Sequence, residues 1–174
     1  PIVDVILDTA GQKGTGKWTV MEAQDLGVPA TVIEAAVAAR ALSAQKPARV
    51  AAEKLFGAAP RKFDGTLNGE AVLKALEGAL LAGKIAAYAQ GFAVLSKASE
   101  TWNWNLPLGT IAKIWRAGCI IRSVFLDDIS KAYAASGSVA NLMNIEPFTG
   151  MIKANNTSLR VIVAEAVLAA DKVF

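Results

Sequence analysis

The segment from about Gly69 to Thr101 constrains the fold of this chain more than any other stretch. Its large apolar residues alternate between spacings of four and three positions: Leu81, Ile85, Tyr88, Phe92 and Leu95. This spacing places them along one face of an α-helix. Gly83, Ala87 and Gly91 lie beside that face at intervals of four residues, which would let a second helix approach closely. We therefore predict a long, largely buried central helix.

Shorter helices are predicted on both sides of this central helix. Thr19 with Glu22, and Thr31 with Glu34, have the spacing of capping boxes, in which the hydroxyl and the carboxylate satisfy free N–H groups at a helix start. Two helices should therefore begin there, separated by a turn at 27–30. Further helices are predicted at about Leu108–Trp115, Arg122–Tyr133 and Leu159–Lys172.

The composition suits one all-α domain over residues 1–174. The alternation typical of strands is nearly absent, and 53% of the residues are hydrophobic, which supplies a large core. The chain opens on an apolar run at Pro1, and a helical pattern is still running at Phe174. Because natural termini are usually polar, we expect this chain to be a segment of a longer protein.

The charged and reactive residues exclude several function classes. The 18 basic and 15 acidic residues are scattered rather than clustered, which favours small anionic ligands over nucleic acid. The single cysteine, Cys119, excludes an internal disulfide and indicates a reducing compartment, so we expect a cytoplasmic protein. The chain has no histidine, so no metal site is expected, and Cys119 is interpreted as a small buried residue rather than a nucleophile.

Two further expectations concern the apolar residues. The most apolar runs are interrupted by charges such as Glu165, so no segment is expected to span a membrane. The tryptophans are interpreted as core or interface aromatics: Trp18, Trp102, Trp104 and Trp115.

The stretch DTAGQKGTGKWT, residues 8–19, comes close to the phosphate loop of nucleotide hydrolases. Trp18 follows Lys17 where that loop needs a Ser or Thr for magnesium, and no strand is predicted to enter it, so a nucleotide-hydrolase site is disfavoured. Glycines, lysines and a threonine ahead of a helix start could still bind a phosphate. The alternative is a glycine-rich turn with solvated lysines, and the spacing alone leaves both open.

Several stretches together resemble 6-phosphogluconate dehydrogenase, the decarboxylating enzyme of the pentose phosphate pathway. They are AGQKGTGKWT (10–19), AAVAARALSAQK (35–46), KIAAYAQGF (84–92) and WNWNLPLGTIAKIWRAGCIIRSVFL (102–126). They occur in the family's order over nearly all of the chain. One departure is Ala117, where the family usually has glycine. The resemblance implies the all-helical C-terminal domain of that family, a bundle around a long central helix.

The resemblance also implies a substrate site. In this family the Lys and Thr of the QKGT segment and an Arg in the following helix bind the phosphate of 6-phosphogluconate, which places Lys13, Thr15 and Arg40 here. For this role Arg40 must face the loop at 11–17. The resemblance assigns no role to Lys17, which is interpreted as a solvated charge.

The resemblance further implies which parts of the enzyme lie outside this chain. NADP would bind a separate N-terminal domain, the catalytic Lys and Glu would lie upstream of Pro1, and a C-terminal tail would follow Phe174. The whole enzyme would be a homodimer that oxidises the C3 hydroxyl by hydride transfer to NADP and decarboxylates the product to ribulose 5-phosphate. The 174 residues alone are therefore expected to be inactive. The alternatives are a helical interaction or dimerisation module without a ligand and, less favoured, a nucleotide-binding loop protein.

Overall fold

The computed structural model of the protein describes residues 2–57, 69–137, 139 and 141–169, and its regular elements there are all helical. The α-helices are α1 (Thr15–Asp25), α2 (Thr31–Ala44), α3 (Lys46–Phe56), α4 (Gly69–Thr101), α5 (Leu108–Ile114), α6 (Phe125–Ser136) and α7 (Phe148–Ala169). Short 3-10 helices lie at Ile2–Asp4 and Leu142–Asn144. The all-α prediction is confirmed.

Helix α4 is the central helix, and its bounds are those predicted. Its 33 residues extend over about 50 Å at 1.5 Å per residue, and it packs along α7. The largest fully buried side chains come from α4, α6 and α7: Ile85, Phe92, Leu126, Ile129 and Phe148. The Phe92 ring lies 5.5 Å from the Trp115 ring and 5.6 Å from the Tyr133 ring, measured between centroids. Apolar burial around Phe92 therefore holds this half of the chain together.

The close helix approach on α4 occurs at a different glycine from those predicted. A Cβ added at Gly83 or Gly91 would meet no atom within 4 Å. A Cβ at Gly78 would lie 2.6 Å from Asn155 Oδ1 and 3.0 Å from the Ser158 Cβ of α7. The expectation for Gly83 and Gly91 was wrong within this chain because α7 makes its closest approach at Gly78.

The first capping-box prediction was wrong. Helix α1 begins at Thr15, four residues before the predicted cap, and its N-cap is Gly14 with a left-handed φ of 100°. Thr19 lies inside the helix, and its hydroxyl donates to the Thr15 carbonyl at 3.0 Å. The glycine allows the chain to turn into the helix earlier than a threonine cap would.

The start of α2 was predicted correctly, but its cap is supplied from a distant helix. No side chain of the local sequence caps it. The Val32 N–H donates to Gln90 Oε1 at 3.0 Å, and Gln90 Nε2 donates to Thr31 Oγ1 at 3.2 Å. Gln90 of α4 therefore accepts a hydrogen bond from a free N–H at this helix start, as was expected of Glu34. It also joins α2 to the central helix.

The other helices differ from prediction in their bounds. Helix α3 was not predicted, and α6 begins three residues later than expected. Helix α7 begins at Phe148 instead of Leu159. Pro147, a residue that favours a helix start, lies directly before it, and Gly150 lies inside the helix. The predicted end of this helix at Lys172 lies outside the described residues.

By length and composition alone, α4 is apolar enough to cross a membrane. The expectation that no segment spans a membrane stays a prediction, because this criterion rests on length and composition alone. In the 18-residue window that meets the criterion, 39% of the residues are buried within the chain. The same helix packs against α7, and core helices of this kind meet the same criterion.

Candidate phosphate site

Residues 7–11, here called the strap, cross the end of α2 and the start of α3 without forming a helix or strand. Lys46 Nζ donates to the Leu7 carbonyl at 2.6 Å. Two residues further, the Thr9 hydroxyl donates to the Ser43 carbonyl at 3.1 Å, and the Ala10 N–H donates to Ser43 Oγ at 3.0 Å. Polar contacts rather than apolar packing thus hold the strap in place.

Arg49 of α3 holds the middle of the strap. Its Nη1 donates to Asp8 Oδ2 at 3.1 Å, and its Nη2 donates to the Asp8 carbonyl at 2.7 Å and to the Ser43 carbonyl at 3.1 Å. The pair is a salt bridge in which 29% of the Arg49 side chain and 61% of the Asp8 side chain are exposed. Arg49 therefore joins the strap to the end of α2.

Arg40 of α2 holds the end of the strap. Its Nε donates to the Gly11 carbonyl at 3.0 Å, and its Nη2 donates to the same oxygen. These two bonds use two of the five N–H donors of a guanidinium, so three remain for another acceptor. Arg40 thus faces the loop at 11–17, as a phosphate ligand at this position must.

The loop then enters α1 through two close contacts. The indole of Trp18 covers Gly14, since a Cβ there would lie 3.4 Å from Trp18 Cζ2. A Cβ added at Gly16 would lie 3.0 Å from Val37 Cγ2, so the start of α1 lies close against α2 at this point. Val37 lies three residues before Arg40 and on the same side of α2. These contacts fix the distance between the loop and Arg40.

Lys13 and Thr15 lie on the exposed part of this loop, as does Lys17. Helix α1 has no side-chain cap. The N–H groups of its first turn therefore lack helical partners, and the positive end of the helix dipole lies at Thr15. A lysine ammonium, a hydroxyl, free N–H groups and the unused donors of Arg40 together form a surface suited to an anion.

The loop at 11–17 lacks the setting of a nucleotide-hydrolase loop in the part of the chain that the structure describes. The described residues before α1 form a 3-10 turn and an extended strap, with no strand to enter a phosphate loop. Among the described residues, no group of three or more His, Cys, Asp or Glu side chains could hold a metal ion.

Two cavities lie away from this loop. One, of about 440 Å³, is lined by residues of α4, α5 and α6 that include Ser99, Lys113 and Ser130. The other, of about 400 Å³, lies between α4, the turn at 27–29 and the second 3-10 helix. Neither is lined by residues of 11–17, where Lys13, Thr15 and Lys17 are exposed.

The remaining residues singled out from the sequence lie elsewhere. Trp115 packs against the core, whereas Trp18, Trp102 and Trp104 are exposed, so for these three the interface role is the part of the prediction that remains. Trp102 and Trp104 contact each other with ring centroids 4.7 Å apart. Cys119 is half-buried rather than buried, and its Sγ donates to the Trp115 carbonyl at 3.1 Å.

Two tyrosines of the described residues, Tyr88 and Tyr133, have raised pKa values. Burial raises the pKa of Tyr133 to about 12. Burial also raises the pKa of Tyr88, whose hydroxyl donates to the Ile121 carbonyl. Both lie in the core region around α4, and neither contacts the loop.

The family model of the 6-phosphogluconate dehydrogenase C-terminal domain matches residues 1–173. The chain belongs to this family. Two Bacillus subtilis relatives, an NAD(+)-dependent and an NADP(+)-dependent decarboxylating 6-phosphogluconate dehydrogenase, are each 46% identical to it over 167 residues. The match covers 96% of this chain but only 36% and 35% of these relatives, so the chain spans about a third of their length. The two relatives, which differ in their named cofactor, are thus equally similar to this chain.

A solved structure agrees with the sequence comparisons. Plasmodium falciparum 6-phosphogluconate dehydrogenase, described free, with its cofactor NADP+ and with its substrate 6-phosphogluconate, matches with a TM-score of 0.88 at 41% identity. The match covers 99% of this chain and 37% of that one. The resemblance noted from the sequence is confirmed, together with the all-helical fold.

Sequence reasoning identified Arg40 but missed the other side chains that hold the strap: Ser43, Lys46 and Arg49. Arg40, Ser43, Lys46 and Arg49 recur at every third position across the end of α2 and the start of α3. Polar and basic side chains at this spacing form a ridge along a helix, and such a ridge beside a glycine-rich loop is the signal that could have identified them.

Proposed function

We propose that the loop at 11–17 and Arg40 bind the phosphate group of 6-phosphogluconate. The observation that carries this proposal is the double hydrogen bond from Arg40 to the Gly11 carbonyl, which brings the guanidinium to the loop that bears Lys13 and Thr15. The substrate is the one named for the similar enzymes of this family.

The chemistry of the loop suits a phosphate monoester. Such a group carries between one and two negative charges near pH 7, with three acceptor oxygens. Lys13 offers a point charge, Arg40 a planar fork, and Thr15 a hydroxyl at the start of α1. Lys17, the third residue of α1, makes no contact with the described residues that would distinguish it from a solvated lysine, and we give it no role.

We further propose that residues 1–174 are one helical domain of a longer NADP-dependent enzyme that decarboxylates 6-phosphogluconate oxidatively. The described residues contain no strand followed by a glycine-rich turn and helix, which is the unit that binds a dinucleotide. This chain therefore contributes the phosphate end of the substrate site, and the isolated chain should show no dehydrogenase turnover.

We also propose that this domain forms a homodimer. Exposed leucines and valines at the start of α4 and the end of α7 support this: Leu73, Leu80, Val163, Val167 and Leu168. Apolar residues in such number on the surface are typical of an interface between subunits. Sedimentation equilibrium should give a dimer mass, and a monomer at all concentrations would contradict it.

The phosphate site is tested by isothermal titration of the chain with 6-phosphogluconate and, in parallel, with gluconate. We expect binding of the phosphorylated sugar alone, and Lys13→Met should weaken it about tenfold or more, the effect of losing one charged hydrogen-bond donor. Lys131→Gln is the matched control, since this lysine is 80% exposed on α6. Binding that Lys13→Met leaves unchanged would contradict the proposed site, and no binding would favour an interaction module without a ligand.

A further inference from the structure

We propose that Arg49 is a positioning residue for the loop at 11–17, a role that rests on the phosphate binding proposed above. Arg49 lies in the first turn of α3, outside the loop and outside α2. Its guanidinium nevertheless contacts the segment before the loop and the helix that carries Arg40. It bonds to two oxygens of Asp8 in the strap and to the Ser43 carbonyl of α2.

These two contacts lie on either side of the bond between Arg40 and Gly11. Asp8 lies three residues before Gly11, and Ser43 lies three residues after Arg40, on the same side of α2. This guanidinium therefore joins the strap to the helix that carries Arg40, beside the bonds that Thr9 and Ala10 make to Ser43. Lys13 and Thr15 follow directly from the strap, so the Arg49 contact contributes to their position relative to Arg40.

The Ser43 carbonyl belongs to the last turn of α2, where carbonyl groups lack helical partners. A cation at this end also interacts favourably with the helix dipole. Arg49 thus completes the C-terminus of α2 while it holds the strap. No other charged side chain among the described contacts bonds to both the strap and α2.

The setting of Arg49 differs from that of a solvated arginine. Its Nε is buried and has no hydrogen-bond partner among the described residues, so the outer nitrogens hold the guanidinium in place. Asp8 has a φ of 53°, a backbone conformation that residues with side chains seldom adopt. Arg49 bonds to both the carbonyl and the carboxylate of Asp8 and so stabilises this turn.

The charge of Arg49 is already matched by Asp8. This pairing distinguishes Arg49 from a phosphate ligand, because the carboxylate would repel a phosphate placed on the same guanidinium. Arg49 therefore acts on substrate binding through the geometry of Lys13, Thr15 and Arg40.

The test compares Arg49→Gln and Arg49→Lys with the Lys131→Gln control, all in the full 174-residue chain. We expect Arg49→Gln to weaken 6-phosphogluconate binding about tenfold, the effect of losing hydrogen bonds from a charged group. Arg49→Lys should recover part of the affinity, since it keeps the charge but not the fork. Amide hydrogen exchange should accelerate at residues 8–17 and stay unchanged in α4, which a general loss of stability would not produce.

The outcomes separate this proposal from the one beneath it. If the unsubstituted chain does not bind 6-phosphogluconate, the phosphate site is overturned and the role of Arg49 falls with it. If both Arg49 variants bind 6-phosphogluconate with the same affinity as the unsubstituted chain, only the role of Arg49 is overturned. If Arg49→Gln also accelerates exchange in α4, the affinity of Arg49→Lys for 6-phosphogluconate decides between the two explanations. An affinity equal to that of the unsubstituted chain overturns the proposal.

Discussion

The core around α4 and the region of α1 to α3 are held together in different ways. In the core, Phe92, Leu126 and Phe148 are almost fully buried, and apolar packing fixes the helices. Helices α2 and α3 have no buried residue, and α1 has only Ala23. There the strap, the Gln90 cap and the arginines supply directional polar contacts. Burial stabilises the core, whereas hydrogen bonds hold the strap that leads into the loop at 11–17.

The largest effect should come from removing a leucine from the core. Leu126 is 0% exposed on α6, and Leu55 is 80% exposed on α3. We expect Leu126→Ala to lower the free energy of unfolding by about 3–4 kcal/mol, because it loses buried area and leaves a cavity. Leu55→Ala should cost less than about 0.5 kcal/mol. Urea denaturation measures both, and equal costs would contradict the distinction between the two regions.

The alkaline stability of the core should depend on Tyr133. Burial raises its pKa from 10.0 to about 12, so above pH 10 the unfolded chain loses this proton more readily than the folded chain. The unfolded state then binds fewer protons, and stability should fall by about 2–3 kcal/mol between pH 10 and pH 12.

Tyr133→Phe should reduce the steepness of that decline. The dependence of stability on pH below pH 10 should stay nearly unchanged. Thermal unfolding at a series of pH values measures it. Tyr88 also has a raised pKa, so a smaller decline should persist in the variant. An unaltered pH dependence would show that Tyr133 titrates normally and that this part of the core is open to water.

A smaller effect is expected at the entry to α1. Gly14 has a φ of 100°, which an alanine adopts only with strain, so Gly14→Ala should cost about 1–2 kcal/mol. Gly69→Ala is the matched control, since its Cβ would meet no atom within 4 Å, its φ is not left-handed and it lies outside the loop. Titration with 6-phosphogluconate should show weaker binding for Gly14→Ala alone. Equal behaviour of the two variants would mean that the loop does not depend on this turn.

The sequence predicts the core better than it predicts the region around the loop. The bounds of α4 follow from its own apolar period, which local residues determine. The start of α1 depends on Gly14 and on contacts with Trp18, and the cap of α2 comes from Gln90, 58 residues after Val32. Such long-range contacts leave no periodic signal.

The candidate site shows the same division. Lys13, Thr15 and Arg40 are predicted from family resemblance, because their motif is specific. Arg49 carries no motif, and its bond to Asp8 spans 41 residues of sequence. Its part in the site follows only from the three-dimensional contacts of the strap.

The most direct test of the phosphate site is a titration of the isotope-labelled chain with 6-phosphogluconate, followed by nuclear magnetic resonance. The amides of residues 11–17 and the Nε–H of Arg40 should shift in proportion to occupancy, while those of α4 and α7 stay in place. Gluconate should leave all of them unchanged. Shifts confined to the cavity at Ser99, Lys113 and Ser130, or no shifts at all, would contradict a phosphate site at this loop.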